Sequence, residues 1–194
     1  MNPIDRLTEA FEKFPGIGPR QARRFVQYLL SAAPGSRSDI AEQIKALGAN
    51  TAQCKSCFRW FVGTAGLCPV CGNSGRDASV LFVAEKDADI DNVERSGYKG
   101  RYFVLGGTIP LAAEEPAKHI RLRELLKRVG ENNLKEIILG LSATTEGDHT
   151  RQILHEKLKD SGLIISSLGR GLSTGSELEY ADPDTIASAL NSRN

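Results

Sequence analysis

The chain has 194 residues, 40% hydrophobic and 25% charged, with 25 lysines and arginines against 24 acids. So even a balance is uninformative as a total, and the distribution of charge matters more; no apolar run is long enough to span a bilayer. The opening Met1-Asn2-Pro3-Ile4-Asp5-Arg6 has no apolar stretch of the signal-peptide kind, so a soluble, cytoplasmic protein with no membrane partner is expected. No internal repeat or low-complexity tract is visible.

Residues 3–14 place Ile4, Leu7, Ala10, Phe11 and Phe14 on one apolar stripe, which predicts a short helix. Pro15-Gly16-Ile17-Gly18-Pro19 ends it. A second helix then starts at Pro19, with Ala22, Phe25, Val26, Leu29 and Leu30 as its buried face. Helix, Gly-Ile-Gly turn and helix together make a helix-hairpin-helix pattern. Its glycines let backbone approach a phosphate, while the following helix start offers unpaired NH groups and the positive end of its dipole. Arg20, Arg23 and Arg24 lie at the same start, in a stretch from Lys13 to Arg24 that contains no acid. Gly16, Gly18, Arg20, Arg23 and Arg24 are therefore the candidate DNA-phosphate contacts, largely blind to base sequence. A plain helical hairpin with a solvated basic face is the alternative. Pro34-Gly35-Ser36 should break the second helix, and a third should open near Asp39, with Ile40, Ile44 and Leu47 inward and Gly48 as its stop. So small a helical module needs a neighbour or a second subunit to complete a core.

Cys54, Cys57, Cys68 and Cys71 are all the cysteines in the chain, and they form two Cys-x-x-Cys pairs with ten residues between them. That spacing lets two knuckles close one tetrahedral thiolate site, which points to a structural zinc, one per chain. Four protein ligands leave no open position for catalysis. Two disulfides or a redox pair fit the spacing and the expected compartment less well. Within the loop, Phe58, Trp60, Phe61 and Val62 read as packing residues of a small module, with a base-stacking platform as the alternative.

From Ser79 strands and helices alternate. Val80 to Ala84 reads as a buried strand ending in Glu85, residues 87–96 as a helix and 101–105 as a second strand. A basic amphipathic helix carries Ile120, Leu122, Leu125, Leu126 and Val129 up to Gly130. Ile137 to Leu139 makes a third strand, 148–160 a helix, and Leu163 to Ile165 a fourth strand. This alternation predicts a parallel sheet covered on both faces. Glu85, Glu146 and Asp148 fall beyond the C-terminal ends of strands, where such sheets bind ligands and where acids can hold magnesium. Asp87 and Asp148 read equally well as helix caps. His119, His149 and His155 show no ligand spacing. A last helix starts at Asp182-Pro183 and has Ile186, Ala189 and Leu190 on one face.

Six stretches in order resemble the bacterial recombination mediator family RecR: Phe14-Pro15-Gly16-Ile17-Gly18-Pro19-Arg20, the four-cysteine loop, Val83-Ala84-Glu85, residues 100–105, Thr145-Glu146-Gly147-Asp148 and residues 171–180. The resemblance covers nearly the whole chain. It implies an α+β chain of several modules: a helix-hairpin-helix DNA-binding domain (1–53), a four-cysteine zinc finger (54–75), an α/β Toprim domain with a parallel sheet (76–168), and a C-terminal Walker B-like segment with a helix (169–194). It also implies a non-enzymatic role in DNA repair and recombination, acting with RecO and RecF to help RecA load onto single-stranded DNA. A homo-oligomer is implied too, typically a tetrameric ring or clamp built from dimers, with the face around Glu85, Glu146 and Asp148 meeting RecO. The rival expectation is a magnesium-dependent Toprim nuclease or topoisomerase-like enzyme; Tyr28, Tyr98, Tyr102 and Tyr180 have helix, loop or strand readings, none that of a nucleophile. Two motifs depart from the family's form: its Glu-Gly-Glu is Glu146-Gly147-Asp148 here, and its Gly-x-Pro-x-Gly-Gly is Gly171-Leu172-Ser173-Thr174-Gly175-Ser176. The glycines at 169, 171 and 175 make no P-loop, because no lysine follows in the required place.

Overall fold

A computed structural model describes residues 1–64, 66–130 and 134–191. The chain forms two compact units, Met1–Thr51 and Ala52–Asn194.

The first unit is three helices, α1 (Pro3–Glu12), α2 (Pro19–Ser31) and α3 (Pro34–Asn50). Asn2 caps α1, its side chain accepting from the Asp5 NH at 2.9 Å. Phe11 packs edge-on against Phe14 and Phe25, so the stripe expected to extend helix α1 to residue 14 instead ends in the turn that follows Glu12. Ala22 and Val26 are the buried residues of these helices. The third helix differs from expectation at both ends. It starts at Pro34 rather than near Asp39, because a proline that cannot continue one helix suits the first position of the next. It also runs through Gly48, since one glycine costs only about 1 kcal/mol in a helix interior, and ends at Asn50, where the Thr51 hydroxyl donates to the Leu47 carbonyl at 2.6 Å.

The second unit opens with a two-stranded finger, β1 (Thr51–Gln53) and β2 (Trp60–Val62), and the single helical turn α4 (Pro69–Gly72). A four-stranded parallel sheet follows, built from β3 (Asp77–Ala84), β4 (Gly100–Val104), β5 (Glu136–Gly140) and β6 (Ile164–Ser167) in the order β4-β3-β5-β6. Its helices are α5 (Asp87–Arg95), α6 (Leu122–Gly130) and α7 (Thr145–Leu158), with α8 (Pro183–Asn191) at the C-terminus. Alternation along the strands sorts the core. Leu81, Val83, Phe103, Ile137 and Leu139 point to a cluster that includes Leu122 and Leu125 of α6 and Leu154 and Leu158 of α7. Phe82, Ala84, Tyr102 and Val104 point the other way, to Ile90 of α5 and to all four cysteines.

The sheet is thus covered on both faces, as its alternation predicts, but one cover is largely the finger rather than helices. The finger also closes the outer edge of β4: the Val104 NH donates to the Cys57 carbonyl at 2.8 Å. Phe58 meets Phe103 edge-on at 5.4 Å between ring centres, and the Arg121 guanidinium lies 5.1 Å over the Phe58 ring. Of the four apolar residues that sequence assigns to packing, Phe58 and Phe61 pack, whereas Trp60 is 57% and Val62 84% exposed. In this arrangement Phe103→Ala should lower stability to urea by about 3–5 kcal/mol, the usual cost of emptying a buried aromatic site. A loss below about 1 kcal/mol would mean that this contact does not hold the finger to the sheet.

Candidate metal centre and nucleic-acid interface

The two cysteine pairs are set by local backbone. In the first knuckle the Phe58 NH donates to the Cys54 carbonyl at 2.9 Å and the Cys54 NH to the Arg59 carbonyl at 2.8 Å. Closing so tight a turn puts Phe58 in the left-handed region, φ 62°, the one non-glycine residue there among the described residues. In the second knuckle Cys68 precedes α4 and its sulfur accepts the Cys71 NH at 3.5 Å, while the Cys68 NH donates to the Cys54 sulfur at 3.3 Å. Backbone NH groups aimed at sulfur favour thiolate over thiol. All four sulfurs are buried and lie within 4.8 Å of one another, and among the described residues no other group of three or more histidines, cysteines or acids gathers so closely.

The quartet's proton balance shows what the site favours. A hydrogen bond from Cys57 holds the Cys71 sulfur below its ordinary value, and the same bond, with burial, pushes Cys57 up. Four buried sulfurs cannot all carry charge without a cation. An all-thiolate set with no carboxylate or imidazole suits a four-coordinate ion such as zinc.

In the hairpin, Gly16 has φ 76°, a left-handed turn that a side chain would strain. Gly18 is the N-cap of α2, and a Cβ at either glycine would meet nothing within 4 Å. The first turn of α2 carries no acid, and Arg20, Arg23 and Arg24 are all exposed. The structure therefore brings the five hairpin residues to one open helix start whose dipole and side chains share a sign.

The three carboxylates lie at the C-terminal edge of the sheet. After β3 the chain turns one way to β4, and after β5 the other way to β6, so a crevice opens between β3 and β5. Glu85 is only 5% exposed; it accepts from the Ser142 NH at 3.2 Å and pairs with the Lys86 ammonium at 3.2 Å. Burial alone would raise its carboxyl, but the Ser142 hydroxyl and NH, with Lys86, outweigh that and hold it below its ordinary value. Glu146 is exposed and accepts from the Thr108 hydroxyl at 3.1 Å. Asp148 pairs with Arg170 and Arg151, which hold its carboxyl low.

Helix α7 begins at Thr145, three residues before the expected start, because Thr144 supplies the cap: its hydroxyl accepts the Gly147 NH at 3.1 Å. Glu146 and Asp148 thus sit within the first turn, where the dipole favours them. The glycine between them is required, since a Cβ on Gly147 would fall 2.0 Å from the Ser142 carbonyl oxygen.

Several partners were not legible in the sequence. Asp87 reads there as a cap, yet it accepts the Trp60 NH at 2.6 Å and pairs with Arg59 at 3.3 Å, tying the finger to the start of α5. Arg170 carries no signal at all, because it reaches Asp148 from 22 residues away through an irregular segment. Asp182 does cap α8, accepting the Thr185 NH at 2.9 Å, but no residue of that helix is buried.

Three sequence-family profiles match the chain: RecR helix-hairpin-helix at residues 4–47, Toprim domain at 79–169 and RecR C-terminal at 171–194. Among curated relatives, the "Recombination protein RecR" of Bifidobacterium longum subsp. infantis is 41% identical over 192 residues, covering 98% of this chain and 94% of that protein. The proteins of the same name from Chloroflexus aggregans and Rickettsia massiliae are 38% and 36% identical, covering 98% and 99% of this chain and 93% and 95% of theirs. No described helix is long and apolar enough to cross a membrane.

The Glu85 environment has a signed pH consequence. A carboxyl held low in the folded state contributes stability that is complete above its unfolded value, near about 4, and is lost as pH falls through the lower folded value. Glu85→Gln should therefore be less stable to urea than the unaltered protein at neutral pH, and the gap should narrow below about pH 4. A gap that stays constant into acid would contradict the assignment.

Proposed function

This chain belongs to the RecR family of recombination proteins, and we propose that it is a non-enzymatic, DNA-binding mediator of recombination in DNA repair. The observation that carries this reading is the open hairpin. Gly16 and Gly18 leave room for a phosphate at the start of α2, and Arg20, Arg23 and Arg24 are exposed beside it, Arg24 donating only a long bond of 3.4 Å to the Gln21 side chain.

Family membership supports the finer part of the proposal. The protein acts in the cytoplasm with RecO and RecF to promote RecA loading onto single-stranded DNA, and the crevice edge with Glu85, Glu146 and Asp148 is the RecO-facing surface. It assembles as a homo-oligomer, a tetramer built from dimers. An open apolar groove of about 370 Å³ in the first unit, lined by Ile4, Leu7, Phe11, Leu29, Leu30 and Ile44, supports assembly.

Cys54, Cys57, Cys68 and Cys71 hold one zinc per chain. When bound, it neutralises the thiolates and locks the two knuckles; the surrounding side chains seat the finger on the sheet.

The rival reading, a magnesium-dependent Toprim nuclease or topoisomerase-like enzyme, has less support. Among the described residues the three carboxylates do not converge within 4.8 Å, and Asp148 is engaged by two arginines. Burial pushes the phenols of Tyr98 and Tyr102 upward, away from nucleophilic use.

Replacing Arg20 and Arg24 by alanine should weaken DNA binding and flatten its salt dependence by about 0.7–0.9 in log–log slope per arginine. DNA recovered from the same mixtures with magnesium should be unbroken. An unchanged slope would sink the hairpin assignment, and breakage abolished by Glu85→Ala would overturn the non-enzymatic part. Cys54→Ser or Cys71→Ser should lose zinc and unfold the finger; a variant with full metal content would remove that cysteine from the ligand set.

A further inference from the structure

The second unit holds a basic cleft that the hairpin reading does not use. It has a volume of about 440 Å³, and its walls come from three elements: the first knuckle with Lys55 and Phe58, strand β4 with Arg101, and helix α6 with Glu124, Lys127 and Arg128. Four cations thus face one carboxylate across a concavity, an arrangement that raises the local concentration of anions. Neither Lys55 nor Arg101 has a carboxylate partner within ion-pair distance among the described residues.

Arg101 points most directly to a ligand. Its guanidinium has five donors, yet its one protein hydrogen bond given by the structure is a long one to the Cys71 carbonyl, 3.4 Å, and its buried Nε has no partner. With its Nε buried and one long bond on the terminal nitrogens, the guanidinium has donor capacity that the protein does not fill, and Arg101 is one of the residues that line the cleft. The wall beside it is apolar: Phe58 is half-buried, and Leu67 is 53% exposed. Phosphate chemistry suits the cations, and a sugar or an unstacked base suits the apolar wall; a single nucleic-acid strand offers both, whereas a duplex presents mainly phosphate.

We propose that the cleft between the first knuckle, β4 and α6 binds the phosphodiester backbone of a single nucleic-acid strand, with Lys55, Arg101, Lys127 and Arg128 as its phosphate contacts. It is a second strand-binding site, separate from the hairpin. The inference rests on the reading of this chain as a DNA-binding protein, but not on which residues of the hairpin carry that binding.

The test uses the full-length, zinc-loaded protein and a fluorescent oligo-dT, with binding followed by anisotropy through a salt series. Lys55→Glu with Lys127→Glu, both at exposed positions, should weaken binding at low salt by at least about ten-fold. It should also lower the log–log salt slope by about 1.4, two contacts at about 0.7 each for single strands. If charge reversal prevents folding, Lys55→Gln with Lys127→Gln should give the same slope change, because the slope counts lost cations.

Unaltered affinity and slope in these variants, while Arg20→Ala with Arg24→Ala still loses both, would overturn the cleft and leave the DNA reading standing. No oligo-dT binding by the unaltered protein would overturn both. The mononucleotide dTMP tests the other source of phosphate and should not saturate below the millimolar range. Tight dTMP binding that the Lys55 and Lys127 variants abolish, with oligo-dT binding unaffected, would make the cleft a nucleotide site and overturn the strand proposal.

Discussion

The second unit depends on the seating of the cysteine finger against strand β4. The Val104 NH donates to the Cys57 carbonyl at 2.8 Å, so a backbone bond joins a cysteine knuckle to the sheet edge. On the sheet side the four cysteines share one apolar cluster with Phe82, Ala84, Ile90, Tyr102 and Val104. A finger this small has no core of its own, and the face of the sheet that carries Tyr102 and Val104 would keep only α5 as a cover without it. A metal that closes the knuckles therefore stabilises more than the loop that binds it, because binding energy in such sites is folding energy. The rim pairs of Arg59 with Asp87 and Asp91 orient the finger but weigh little beside this burial. Partly exposed ion pairs are typically worth about 0–1 kcal/mol, against about 1.5–3 for one fully buried large apolar side chain.

The same seating sets where charge can act. At the C-terminal edge of the sheet the acids are answered from within the chain, Glu85 by Ser142 and Lys86, Asp148 by Arg151 and Arg170. Of the three carboxylates, Glu146 is left with a single hydroxyl partner and the most exposure. The hairpin arginines, and Lys55 and Arg101 in the cleft, by contrast, have no carboxylate within ion-pair distance among the described residues. Cations thus gather at the hairpin and in the cleft while the carboxylates at the sheet edge are mostly neutralised, a distribution that supports the proposed reading of a protein that holds DNA over one that cuts it.

Much of this was legible in the sequence for physical reasons that differ by element. The cysteine quartet is a spacing rule that needs no tertiary context, and the sheet follows from apolar runs whose period is unambiguous. The hairpin is legible because Gly16 takes a left-handed backbone that other residues strain to adopt, and Pro19 directly after Gly18 marks the start of a helix. Helix ends were less legible. Pro34 both breaks and begins a helix, Gly48 is tolerated inside one, and Thr144 rather than Asp148 caps α7. The least legible features join residues distant in sequence: Arg170 on Asp148, Asp87 on the Trp60 NH, and Arg101 beside Lys55 and Lys127. No periodicity or motif encodes such meetings, because they arise only once the elements that carry these residues are packed together.

That seating is tested most directly by amide hydrogen exchange before and after a chelator removes the metal proposed for the cysteine quartet. The account predicts that protection is lost in β4 and in the facing part of β3, around Phe82 and Ala84, as well as in the finger itself. Loss confined to the residues between Thr51 and Gly72, with β3 and β4 still fully protected, would show that the sheet stands without its metal-closed cover and would contradict the account.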